Sequence, residues 1–219
     1  FLGGIPKRYG FTGELPVPGW DGKHEWKGYV LTEQQPHLRN PKQAFIINAN
    51  NKVEPEGYPY VITKYYATPD RFVRIQELLE EKEKLGPKYF EKMLGDVVMV
   101  MARDWMPQIL KSLEDTSLTE TEAEALERLK RWDFAARHKQ IPPAIFNVFM
   151  TRFAENTFKK RLGPDLYKYY MTGDKNIPFN VLREFVQKGK SAWFDDPDTP
   201  EIEEMEDVLR KSYKDSIAF

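Results

Sequence analysis

The stretch Asn40-Pro-Lys-Gln-Ala-Phe-Ile-Ile-Asn-Ala-Asn-Asn51 decides how the rest of the chain is read. Its middle, Ala44 to Ala49, is a short apolar run of Phe and Ile closed off by Asn40-Pro41 and by Asn50-Asn51. That pattern predicts a buried strand ending in a tight corner. An asparagine at such a corner has two uses. The geometric one is to make the turn, since Asn accepts left-handed backbone angles and hydrogen-bonds its own backbone. The chemical one is to aim its amide N–H at an oxygen that acquires negative charge during a reaction, as in an oxyanion hole.

Around this stretch, residues 1–66 are rich in Pro, Gly and aromatics and carry little helical periodicity. Prolines at 6, 16, 18, 36, 41, 55 and 59 punctuate short strands, of which Trp26 to Leu31 and Ala44 to Ala49 are the best candidates. Both read as interior strands of a sheet larger than this segment can build alone. At Thr68 the character changes. Thr68 and Pro69 suit a helix cap and first position, and Phe72, Ile75, Leu78 and Leu79 recur at helical spacing, which predicts a helix from Pro69 to about Lys84. Gly86-Pro87 opens a long second helix with a wide apolar face from Phe90 through Leu94 and Val97 to Leu110, kinked at Pro107. Thr119 and Glu122 have capping-box spacing and start a third helix that runs to Trp132. Pro143 opens a fourth with the stripe Ile145, Phe146, Phe149, Phe153 and Phe158, ending at Gly163. Shorter helices follow at Pro164 to Met171 and Phe179 to Lys188. The last starts at Pro200 and carries Ile202, Met205, Leu209 and Tyr213 inward. The predicted class is therefore α+β, with a β-rich arm over residues 1–66 and a mainly α-helical domain over residues 67–219.

Bulk properties exclude several functions. A formal net charge of −1, from 33 basic and 34 acidic residues, argues against a nucleic-acid binder. No uninterrupted apolar run reaches membrane-spanning length, and no membrane partner is expected. Without cysteine there is no disulfide framework, thiolate metal site or cysteine nucleophile.

Arg71 falls in the first turn of the first predicted helix, where the dipole disfavours a cation by a few tenths to about 1 kcal/mol. An ion pair with Asp70, Glu54 or Glu56 would account for it. His24, His37 and His138 are too widely separated for metal-ligand spacing. Gly189-Lys190-Ser191 resembles the end of a phosphate-binding loop, but Glu184 stands where that motif requires glycine. Asp195, Asp196 and Asp198 lack the glycine and distal glutamate of a calcium loop and are expected to face the N-terminus of a helix capped by Thr199. Tyr65, Tyr66, Trp105 and Phe146 could line an acyl pocket or fill a core, and core packing is the simpler role.

Five segments in order, Leu15-Pro-Val-Pro-Gly-Trp20, Glu25-Trp-Lys-Gly28, Asn40-Pro-Lys-Gln43, Ile47-Asn-Ala-Asn-Asn51 and Gly57-Tyr-Pro-Tyr60, together resemble the β-chain of the penicillin acylase family of N-terminal-nucleophile amidohydrolases. The similarity continues through Asp70-Arg71 and Leu129-Lys-Arg-Trp-Asp133; Ala44 replaces the glycine more common in relatives. The resemblance implies that the arm's strands belong to the central sheet of a four-layer αββα sandwich, with the helices packed beside the active site. It implies cleavage of an acyl amide through an acyl-enzyme. Asn50 matches the oxyanion-hole asparagine, and Arg71 matches an arginine that supports it near the nucleophile. Asn48 is a lesser candidate, better suited to a hydrogen bond within the fold. The family's nucleophile is the first residue of the mature β-chain, a Ser, Thr or Cys, whereas this sequence starts at Phe1. The expectation is therefore an internal fragment, inactive alone, whose partners are the remaining α- and β-chain segments and a small acyl amide substrate. No cofactor is implied. Some relatives bind calcium, but only the Gly13 carbonyl matches a ligand here and the acidic one near Tyr60 to Thr63 is missing, so no metal is expected. Many relatives are secreted or periplasmic. The contrasting reading is a non-catalytic helical interaction module with a proline-rich arm.

Overall fold

A computed structural model describes residues 3–174 and 176–218. Its elements are β1 (Ile5–Tyr9), β2 (Glu25–Val30), α1 (Asp70–Glu80), α2 (Pro87–Leu94), α3 (Val100–Ser112), α4 (Glu120–Lys130), α5 (Ile141–Thr172), α6 (Asn176–Lys188) and α7 (Met205–Ile217). The fold is α+β. It divides into two compact units, the first ending at Phe72 and the second starting at Val73, so the division falls inside α1.

In the first unit, β1 and β2 pair antiparallel, with a register shift between Pro6 and Arg8. Proline lacks the N–H that a central strand must donate, so an irregular edge suits Pro6. Trp26 and Tyr29 are exposed on β2 rather than interior, because β1 is its one neighbour among the described residues. The expected strand from Ala44 to Ala49 does not form. A strand holds only when its N–H and C=O groups find a ladder. Among the described residues none is offered, and local groups take over: Ala44 N–H donates to the Pro41 carbonyl at 2.9 Å, and Ala49 N–H to the Asn51 side chain at 3.1 Å. Ile46 is left exposed.

The second unit is built on the predicted aromatic stripe. Phe146, Phe149 and Phe153 of α5 stack successively with ring centroids 6.2 and 5.9 Å apart, and Phe194 extends the row 6.2 Å beyond Phe153. Trp105 of α3 meets Phe153 edge-on at 6.0 Å. Helix α7 lies along α5 and contributes Leu209 and Tyr213 to the same core. The buried Tyr213 hydroxyl is satisfied by the Glu122 carbonyl at 2.5 Å, and burial pushes its pKa up. Helix α4 has the reciprocal capping box of Thr119 and Glu122, and Gly163, at φ 72°, kinks α5 where the sequence ends one helix and starts the next.

Three helical expectations need correction. The long second helix is two helices, α2 and α3, broken at Gly95, and α3 runs through Pro107 to Ser112. The break follows from competing hydrogen bonds: Val98 pairs with Ala135 in an antiparallel bridge, flanked by Met99 N–H to Phe134 O at 2.8 Å and Ala136 N–H to Val97 O at 2.9 Å. The apolar face of α2 is then no longer in phase with α3, and Leu94 is 90% exposed. The first helix ends at Glu80 instead of Lys84. The last begins after Glu204, whose side chain forms a capping box with Asp207, so Thr199 caps nothing and Ile202 is exposed. Asp195, Asp196 and Asp198 face the cations Lys160 and Arg161 rather than a helix N-terminus.

Helix α1 is tied to the α2–α3 loop by Arg74, whose Nε and Nη2 meet the two Asp96 oxygens at 2.8 and 2.7 Å. Its Nη1 bonds Glu77, which also pairs with Arg103 at 2.6 Å. The Arg74 hydrogen bonds hold the Asp96 carboxyl below its usual range, and Arg103, then Arg74, do the same for Glu77. A depressed carboxyl pKa contributes stability above the unfolded value and loses it as pH falls through the folded value. Chemical denaturation should therefore show stability declining below about pH 4, with a shallower decline for Asp96→Asn. Phe153→Ala, which empties the centre of the aromatic row, should lower unfolding free energy by about 3–5 kcal/mol in the same measurement.

Candidate active site

The corner at Asn50 is built from short-range polar contacts. Asn50 adopts φ 60°, in the left-handed region that costs most L-residues about 1–2 kcal/mol and that Asn tolerates best. Its N–H donates to Asn48 Oδ1 at 2.9 Å, and its carbonyl accepts from Ala67 N–H at 2.9 Å. The chain leaving the corner thus returns at Tyr66 and Ala67. There the Tyr66 hydroxyl bonds the Glu54 carboxylate at 2.5 Å, and burial followed by that bond pushes the Tyr66 pKa up.

Arg71, in the first turn of α1, completes the corner. Its Nη2 donates to the Ala49 carbonyl at 2.8 Å and to Asn50 Oδ1 at 2.9 Å. Neither acceptor is a carboxylate, so the expected ion-pair explanation for Arg71 is replaced by two charge-assisted hydrogen bonds. They offset the few tenths to about 1 kcal/mol that the helix N-terminus costs a cation. The contact also orients the amide. A guanidinium only donates, so the group facing it must be Oδ1, and Nδ2 is directed away from Arg71. Among the described residues nothing accepts from Nδ2. Asn50 and Arg71 are both exposed, while Ala49 between them is buried. The arrangement is a fixed amide donor with a cation behind its oxygen, open to an incoming negatively polarised group.

The structure therefore brings Asn50 and Arg71 into direct contact, and it gives Asn48 a backbone hydrogen bond within the fold. Trp105 and Phe146 lie in the core of the second unit, Tyr65 is exposed and Tyr66 is engaged with Glu54. His24 bonds Asp21 and His37 bonds the Gln35 carbonyl. Among the described residues no group of three or more His, Asp or Glu could hold a metal ion, and no helix is long and apolar enough to cross a membrane. Neither the Ala49 carbonyl nor the Glu54–Tyr66 pair had a signal in the sequence. Asn51 carried one faint signal, the habit of Asn side chains of bonding backbone two residues away.

Residues 2–219 match the Penicillin amidase family model. The chain is 25% identical over 224 residues to the acyl-homoserine lactone acylase QuiP of Pseudomonas syringae pv. tomato, an alignment covering 96% of this chain and 27% of that protein. It is 28% identical over 218 residues to the penicillin G acylase of Escherichia coli, covering 86% of this chain and 25% of that one. The chain thus spans about a quarter of the length of the relatives it matches. In three dimensions it is similar to the thermostable penicillin G acylase from Alcaligenes faecalis, with a TM-score of 0.63 at 17% identity, over 97% of this chain and 42% of that chain. On the family match over nearly its whole length, the chain belongs to the penicillin amidase family.

Proposed function

We propose that this chain supplies one wall of an amidohydrolase site, in which the Nδ2 group of Asn50 donates to the oxyanion formed when an acyl amide is attacked. The observation that carries the reading is the Arg71 contact: with Oδ1 held at 2.9 Å by a group that can only donate, Nδ2 is the part of the amide presented outward. A nucleophile from the remainder of the enzyme adds to the amide carbonyl, and the carbonyl oxygen becomes the negatively charged oxygen of a tetrahedral intermediate. The Nδ2–H of Asn50 stabilises that charge, and the Arg71 cation behind the amide strengthens the donor by polarising it. Collapse of the intermediate breaks the C–N bond, the amine leaves with a proton, and water releases the acyl group from the nucleophile. The preset amide does not reorganise as charge develops, which is what makes such donors effective.

The substrate class is an N-acyl amide; the relatives named for penicillins and acyl-homoserine lactones share that bond. The nucleophile, its base and a second oxyanion donor come from other segments of the enzyme, so this chain alone is inactive. In the same reading, residues 1–66 join a central sheet completed by those segments, which would give Ala44 to Ala49 its missing ladder, and residues 67–219 form a helical domain.

In the full-length enzyme, Asn50→Ala should lower kcat about 100- to 1000-fold with KM little changed, measured as amine release from an acyl amide. A loss below about tenfold with the fold intact would remove Asn50 from the site. Asn50→Gly, whose backbone accepts φ 60° freely, should lose activity to the same extent while keeping unfolding free energy within about 1 kcal/mol of the parent.

A further inference from the structure

We propose that Asn48 and Asn51 are positioning residues for the Asn50 amide, an inference that rests on the donor reading above. The direction of Nδ2 depends on the backbone at residue 50 as much as on the guanidinium that meets Oδ1. Residue 50 lies one position beyond the Ala44 to Ala49 run, past the end of any ladder that run could join, and among the described residues no strand reaches it. Side chains do the work instead. The peptide unit joining Ala49 to Asn50 is held at both ends, its N–H by Asn48 Oδ1 at 2.9 Å and its C=O by Arg71 Nη2 at 2.8 Å. The preceding N–H, that of Ala49, is held by Asn51 Oδ1 at 3.1 Å, and Asn51 Nδ2 in turn donates to the Lys52 carbonyl at 2.9 Å. The following carbonyl, that of Asn50, is held by Ala67 N–H at 2.9 Å.

Asn48 is exposed and Asn51 is half-buried, so neither amide is needed to satisfy a core. What each does is lock a left-handed corner whose own side chain is the donor. A displacement of about 1 Å at such a donor is enough to cost up to about 100-fold in rate, so releasing one of several tethers should cost about tenfold in kcat. Asn48 offers the cleaner test, since the one side-chain hydrogen bond it makes among the described residues uses its oxygen, which aspartate retains.

The experiment uses the full-length enzyme and follows nitroaniline release from an acyl nitroanilide, with thermal unfolding in parallel. Asn48→Ala and Asn51→Ala should each lower kcat about tenfold with KM within about twofold, and Asn48→Asp should recover most of the loss. Combined with Asn50→Ala, neither substitution should lower kcat further, because a residue that acts through Asn50 has nothing left to position. Equal losses in the two backgrounds, or no loss in either, would overturn the positioning role while a large Asn50→Ala effect left the donor reading standing. If Asn50→Ala itself costs less than about tenfold, the donor reading fails and this inference falls with it.

Discussion

A guanidinium can donate hydrogen bonds but never accept one, and the Asn50 corner is organised by that asymmetry. One nitrogen of Arg71 spans the Ala49 carbonyl and Asn50 Oδ1, fixing at once the path of the backbone and the sense of the amide. The two N–H bonds of that nitrogen lie in the rigid guanidinium plane, whereas a lysine ammonium would bring the same charge with freely rotating donors. The cation sits in the first turn of α1 against the preference of the helix dipole, and the two oxygens it meets explain why that position is tolerated.

The second unit solves a different problem. Its helices are held by apolar burial, with the row Phe146, Phe149, Phe153 and Phe194 running through the centre and Trp105 set edge-on against it. Offset and edge-on contacts suit the ring quadrupoles, so the row contributes geometry as well as area. Two polar groups that enter this core arrive with partners: Tyr213 with the Glu122 carbonyl, and Trp132 Nε1 with the Ala135 carbonyl at 2.9 Å. Arg74, Asp96, Glu77 and Arg103 form a network rather than separate pairs, each group meeting its neighbour in a fixed geometry that isolated surface pairs lack.

In the function we propose, the left-handed conformation of Asn50 joins the geometric and chemical uses of a corner asparagine. The turn presents the amide, and the amide's exposure leaves its N–H available. Family membership follows from the match over residues 2–219; the chemistry assigned to the corner is our reading of its geometry.

Sequence alone determined the features that depend on neighbours in the chain. The Thr119–Glu122 capping box, the aromatic stripe of α5, the break at Gly163 and the α+β class are set by spacings of three to seven residues, which the backbone's own periodicity converts into structure. The Asn50 and Arg71 pair was legible as two residues of a motif, but not as a contact. Tertiary structure decided whatever depended on a distant partner. The apolar run at Ala44 to Ala49 lacks a ladder among the described residues, the bridge of Val98 to Ala135 splits a continuous apolar pattern into α2 and α3, and the Nη2 of Arg71 crosses 21 positions of sequence to reach Asn50. Periodicity records which face of a segment is apolar; it does not record what that face or its backbone will meet.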